Sequence, residues 1–196
     1  MRKLSYSLMI VLMFMAIVFC AGIAGCTSPT KPVGGQKLST IEPAKMALQP
    51  IDVPANFTLV EAYERNASDM REWALEKGWK KGYGTYYDTQ GPDARGLEQM
   101  ISVYPAENIT LIVPDTVSSF KNWTIQDTNV TIVDLPSPGI GDASSALKVT
   151  QPGEPSDIYI IAFVKYDVYE EMYINGTASD YEMLKTVAGK AAAKIM

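Results

Sequence analysis

The chain has 196 residues, no histidine, two cysteines and a formal charge of −5. Without an imidazole there can be no Ser-His-Asp or Cys-His triad, no histidine base near neutral pH and no histidine site for zinc or copper. The acidic balance argues against a nucleic-acid partner, whose phosphates need a basic patch. Carboxylates, lysines and tyrosines remain as possible chemistry, so a hydrolase built on paired acids stays open.

The N-terminus reads as a leader. Arg2 and Lys3 supply a basic start, Leu8 to Cys20 an uncharged stretch, and Ala21-Gly22-Ile23-Ala24-Gly25 a small-residue end before Cys26. Residues 1–25 are therefore expected to be a secretory signal outside the fold, with Cys26 carrying lipid after cleavage. The alternative is an uncleaved N-terminal membrane helix, because Leu8 to Cys26 is 19 residues without a charge and a span needs roughly 17–25. Either way the basic end stays inside and everything after Cys26 lies outside. Loss of Arg2 and Lys3 takes the formal charge from −5 to −7, which also disfavours a polybasic grip on anionic headgroups. With Cys20 in the leader and Cys26 at the lipid junction, the mature fold is expected to have neither disulfide nor thiol catalysis.

All six asparagines, Asn56, Asn66, Asn108, Asn122, Asn129 and Asn175, stand in Asn-x-Ser/Thr triplets, and five of the six use threonine. Serine and threonine make up 27 of the 196 residues, so independent placement would give this on the order of one time in a hundred thousand. Strand and turn preferences of Thr and Asn raise that rate, yet the pattern reads as a set of glycan acceptors. The tetrapeptide Ile23-Ala24-Gly25-Cys26 resembles the lipobox of bacterial and archaeal lipoproteins, in which the cysteine bears a two-chain lipid that holds stably. Together with dense glycan acceptors it is similar to archaeal surface lipoproteins. The expected location is the extracellular face of the cell membrane.

Residues 26–54 read as the lipidated cysteine and a flexible Pro/Gly stalk, with a short helix around Ile41 to Leu48 allowed but not required. A single globular domain is expected over 55–196. Asn66-Ala-Ser-Asp and Gly78 bracket a helix of two to three turns. From Trp79 onward, alternation places Trp79, Lys81, Tyr83, Thr85 and Tyr87 on one strand face, and Leu97 to Tyr104 makes the next strand. Helix and strand both stay open for residues 106–123. Val130 to Asp134 reads as a strand and Ala146 to Thr150 as another. Ile158 to Val164 is apolar on both faces, the mark of a covered strand, with Val168 to Ile174 returning beside it. Ser179 to Glu182 makes a capping box for a last helix striped by Leu184, Val187, Ala188, Ala191 and Ile195. The fold class is α+β, a mainly antiparallel sheet with helices packed on it and a C-terminal strand-strand-helix unit. The element order over 57–195, with its Gly141-Asp142 turn, resembles small extracytoplasmic domains of the PsbP-like type. That resemblance implies binding or regulation rather than catalysis and carries over no functional residue.

Candidate sites are few. Gly139-Ile-Gly141-Asp-Ala-Ser144 has a GxG flavour but leads into a strand, so it reads as a turn. Asp167, Glu170 and Glu171 lack calcium-loop spacing and read as a solvated hairpin, with Glu170 and Glu171 on opposite faces. Flat rings with polar rims make Trp79, Tyr83 and Tyr87 the candidate aromatic binding surface, Tyr159, Tyr169 and Tyr173 belonging to the wider set; core packing explains the same residues. No catalytic residue, metal or cofactor is expected. The reading is a membrane-tethered, glycosylated, non-catalytic binding or structural module of the cell envelope. The alternatives are a ligand-capturing accessory to a transporter or receptor, and a carboxylate-dependent hydrolase of envelope polymers.

Overall fold

Seven antiparallel strands form one sheet in the order β1-β2-β3-β7-β6-β5-β4. The computed structural model describes residues 38–39, 41–91, 94–126 and 129–196; the leader, Cys26 and the first part of the predicted stalk lie outside them. In chain order the elements are α1 (Pro43–Met46), β1 (Phe57–Arg65), a 3-10 turn (Ala67–Asp69), α2 (Glu72–Glu76), β2 (Lys81–Thr89), β3 (Gly96–Val103) and α3 (Ile109–Gln126). They continue with β4 (Thr131–Leu135), β5 (Ala143–Thr150), β6 (Asp157–Lys165), β7 (Val168–Gly176) and α4 (Ala178–Lys194). Two meanders, β1-β2-β3 and β4-β5-β6-β7, meet where β3 pairs with β7, and α3 carries the chain from one to the far edge of the other. The α+β class and the closing strand-strand-helix unit stand as expected.

Each sheet face buries a different helix, as strand alternation requires. Tyr87, Leu97, Ile101, Ile161, Phe163, Met172 and Ile174 form the main core with Leu184, Val187, Ala188 and Ala191 of α4. On the other face Ile109, Ile112 and Val113 of α3 pack on Ala162, Val164 and Tyr169. Phe120, further along α3, meets Leu147, Val149 and Ile160. The spacing 109, 112, 113, 116, 120 is a helical stripe, and it settles residues 106–123 as helix from Ile109 onward. Pro114 lies inside this helix and costs it one backbone bond.

Four expectations need correction. The segment from Met46 to Val53 is core, not stalk: Met46, Ala47, Leu48 and Val53 are buried in the main cluster, and Tyr87 Oη donates to the Leu48 carbonyl at 2.8 Å. The stretch before Gly78 is a 3-10 turn followed by a short helix, not one continuous helix. The last helix begins two residues early. Its cap is Thr177, whose N–H and hydroxyl both donate to Asp180, at 2.8 and 2.9 Å. Finally, Asp167 and Glu170 are not solvated but buried, Glu170 fully and on the α4 face, although Glu170 does oppose Glu171 as the alternation requires.

Candidate functional site

The face of the sheet that carries α3 is only half covered. That helix packs on β4, β5, β6 and β7, whereas among the described residues the same face of β1, β2 and β3 meets only the short α2, whose Ala74 packs with Tyr104 and Trp79 at one end. Cross-strand register lines this half with Tyr63 and Arg65 from β1, Gly82, Gly84 and Tyr86 from β2, and Glu98, Met100 and Ser102 from β3. Glu171 and Tyr173 of β7 adjoin it, because Glu98 pairs with Tyr173 and Met100 with Glu171.

Glycines make the floor flat. A Cβ on Gly84 would sit 2.5 Å from Tyr63 Cζ, and one on Gly96 would sit 2.7 Å from Tyr86 Oη. Both tyrosine rings therefore lie down across neighbouring strands where any larger residue would lift them. At one end Ser102 accepts from Arg65 Nη1 at 2.9 Å and from Trp79 Nε1 at 3.2 Å, fixing the guanidinium and the indole over Gly82.

Glu98 and Glu171 are diagonal neighbours on this face, a relation that sets Cα atoms about 7–8 Å apart. Tyr63 Oη donates to Glu98 at 3.5 Å, and Tyr169 Oη to Glu171 Oε2 at 2.9 Å. Tyr173 Oη donates to the other oxygen of Glu171. Burial, reinforced by the charge of Glu171, pushes the Glu98 carboxyl up to about 7, against the pull of Arg65 and Tyr63. Burial and Glu171 likewise hold the Tyr169 and Tyr173 hydroxyls well above their ordinary value, so both stay donors at physiological pH. The resulting surface offers the flat rings of Tyr63 and Tyr86 beside an acid near its titration point, while the Tyr169 and Tyr173 hydroxyls are taken up by Glu171 beneath it. This arrangement is suited to stacking on a hydroxyl-rich ring.

The structure splits the predicted aromatic surface. Trp79 lies on the half-covered face, half-buried, whereas Tyr83 and Tyr87 point to the α4 side, where Tyr87 is fully buried. Trp79 precedes β2 and does not continue its alternation, so the three rings share no face. Tyr159 and Tyr169 are buried, and Tyr173 is edge-on to Phe120 at 6.4 Å between centroids. Of the residues that do converge, Tyr63, Tyr86 and Glu98 are absent from the sequence-based candidates, and Glu171 appears there only in the calcium-ligand set. Their signal in the sequence is Gly82 and Gly84 alternating with Tyr83 and Thr85, the mark of a strand with one bare side.

Asn56, Asn66, Asn122 and Asn129 are exposed, and Asn108 and Asn175 are half-buried. Asn108 Nδ2 donates to the Lys77 carbonyl at 2.9 Å. Asn175 Oδ1 accepts from Gly96 N–H at 2.6 Å. Among the described residues, no three acid, cysteine or histidine side chains are grouped to hold a metal ion, and no helix is long and apolar enough to cross a membrane. A depression of about 350 Å³ between Glu154, Asp157, Tyr159 and Thr177 is open to solvent.

No family model and no curated protein matches the chain. The fold is similar to a solved structure, the extracellular domain of PknH from Mycobacterium tuberculosis. The TM-score is 0.59 at 13% identity, covering 81% of this chain and 100% of that one. At that identity the likeness establishes the fold alone.

Proposed function

We propose that this protein is an exported module of the cell envelope, held to the outer face of the membrane through lipid on Cys26 and carrying N-linked glycans. It acts by binding through the half of its sheet that α3 leaves uncovered. The observation that carries the binding role is the pair of tyrosine rings, Tyr63 and Tyr86, laid flat across glycine backbone beside the Glu98 carboxyl and the Arg65 guanidinium. Such a surface suits the sugar rings of envelope polymers better than a compact solute, which needs an enclosing pocket. Occurrence of the same fold in an extracellular domain supports the placement, as do the leader and the six acceptor triplets.

A second reading takes Glu98 and Glu171 as the acid pair of a hydrolase, favoured by their shared face and by a Glu98 carboxyl poised near neutral pH. Both oxygens of Glu171 already accept tyrosine hydroxyls, which positions that carboxylate more than it frees it for attack, and this favours binding. Two measurements on full-length protein extracted from membranes test the proposal. Mass spectrometry is expected to find the chain starting at a lipid-modified Cys26, and an unmodified soluble product would overturn the tether. Envelope glycans are expected to bind without being cleaved, and Tyr63→Ala is expected to weaken binding at least tenfold. Release of shortened glycan, abolished by Glu98→Gln, would establish the hydrolase instead.

A further inference from the structure

The exposed acceptor asparagines cluster at the two open edges of the sheet. β1 and β4 are the end strands, so each has one side with no strand partner among the described residues. An open edge is a template for pairing with another chain, and more so when it is apolar. Both edges expose apolar residues among charged and polar ones: Leu59 and Val60 of β1 are 41% and 59% exposed, and Val133 of β4 is 45% exposed.

Asn56 immediately precedes β1 and Asn66 immediately follows it, so the two acceptors bracket an edge about 30 Å long. At the other edge Asn129 lies two residues before β4. Asn122 sits beside Lys121, whose Nζ is 2.7 Å from Asp134 Oδ2 on that strand. The remaining two acceptors are placed differently. Asn108 and Asn175 are half-buried, away from both edges, and their amides tie the Lys77 carbonyl and the Gly96 N–H. Asn108 Nδ2 is the donor in its bond and Asn175 Nδ2 faces the Ala94 carbonyl at 3.4 Å, so a sugar on either would compete with a contact of the fold.

Resting on the glycoprotein reading above, we infer that the six triplets divide into two classes. Four glycans, at Asn56, Asn66, Asn122 and Asn129, shield the sheet edges from self-association, while Asn108 and Asn175 remain unmodified and serve the fold. β4 has a second safeguard, being short and running into Pro136 and Pro138. β1 is longer and has no proline at its end, only a bulge between Leu59 and Glu61, so its two glycans carry the greater share.

The test is glycopeptide mass spectrometry on the full chain from its native membranes, joined to light scattering of edge variants made in the same cells. Sugar mass is expected at the four exposed asparagines and none at Asn108 or Asn175. Asn56→Gln combined with Ser68→Ala, which removes both β1 acceptors and keeps Asn66 in place, is expected to at least double the mean solution mass with an unchanged melting temperature. Thr110→Ala is expected to change neither. Asn122→Gln with Asn129→Gln repeats the measurement at β4, where a smaller rise is expected. Six bare asparagines would overturn the glycoprotein reading itself. Sugar at Asn108 or Asn175, or edge variants with unaltered solution mass, would overturn the division while leaving glycosylation standing.

Discussion

Gln99 donates its side-chain amide to Glu170 at 2.7 Å inside the main core. The other end of the same amide accepts the Leu48 N–H at 2.8 Å and the Thr85 hydroxyl at 3.3 Å. One glutamine thus ties the buried acid of β7 to the segment that crosses beneath the sheet. Oε1 of Glu170 has no hydrogen-bond partner. Burial pushes this carboxyl up to about 7, and neither Gln99 nor the more distant Lys194 offsets it.

A carboxyl that rises from 4.5 to about 7 on folding keeps its proton in the folded state after the unfolded chain has lost it. The folded state then binds more protons across that window, so stability falls as pH rises from about 4.5 to about 7 and levels off above. The full effect is roughly 3 kcal/mol for a group this buried. Glu170→Gln is expected to reduce the slope, leaving the share that Glu98 contributes over the same window, and to melt above the unsubstituted protein at pH 8. Thermal unfolding across pH 4 to 8 measures both, and an unaltered slope would place the acid's titration elsewhere.

A second consequence concerns the segment before β1. Met46 is fully buried, and Lys194 holds this stretch from α4 by donating to the Ala47 carbonyl at 3.0 Å and pairing with Asp52 at 2.6 Å. Met46→Ala is expected to cost about 2–5 kcal/mol in denaturant unfolding, the range for truncating a large core side chain. A cost below about 0.5 kcal/mol, usual for exposed positions, would return residues 43–53 to the stalk.

These two cases mark where the sequence is legible and where it is not. The run Ile158 to Val164 is apolar on both faces and becomes β6 in the interior of the sheet, because a strand covered on both sides needs no outside information to be recognised. Met46-Ala-Leu48 is too short a run to outweigh Pro43, Pro50 and Pro54, which read as a linker. Its burial follows from Gln99, Tyr87 and Lys194, all distant in the chain. Glu170 and Glu171 are the same residue type side by side, and alternation separates their faces. Which one is buried depends on α4 covering one side and on Gln99, 71 positions away. The candidate face was hidden for a related reason, since a bare half-sheet is defined by where α3 stops covering, a tertiary fact.

The turn before β5 offers a comparison within one loop. Gly139 and Gly141 both have φ of +67°, but a Cβ on Gly139 would meet nothing within 4 Å, whereas one on Gly141 would collide with the Val164 carbonyl. That carbonyl accepts the Asp142 N–H at 2.7 Å, and Asp142 Oδ2 in turn accepts the Tyr166 N–H at 2.8 Å. Gly139→Ala is expected to cost about 1–2 kcal/mol, the backbone penalty alone. Gly141→Ala adds overpacking and is expected to cost about 2–5 kcal/mol. Equal losses in urea unfolding would mean that the contact with Val164 contributes nothing.

Asp180 contributes to stability in the acid range, as Asp52 and Asp157 do. Burial would raise its carboxyl, but the Thr177 N–H, the Thr177 hydroxyl and the Arg95 guanidinium together outweigh that and hold it below its ordinary 3.8. A depressed carboxyl contributes stability that is fully present above the unfolded value and lost as pH falls through the folded one. Its effect therefore runs opposite to that of Glu170. Asp180→Asn keeps the shape of the cap while removing the charge that pairs with Arg95, and is expected to cost roughly 1–3 kcal/mol at pH 7. The difference from the unsubstituted chain is expected to shrink steadily below about pH 4. Urea unfolding of both proteins at pH 7, 5 and 3 measures this, and a cost that stays constant with pH would assign the stabilisation to helix capping geometry and not to the ion pair.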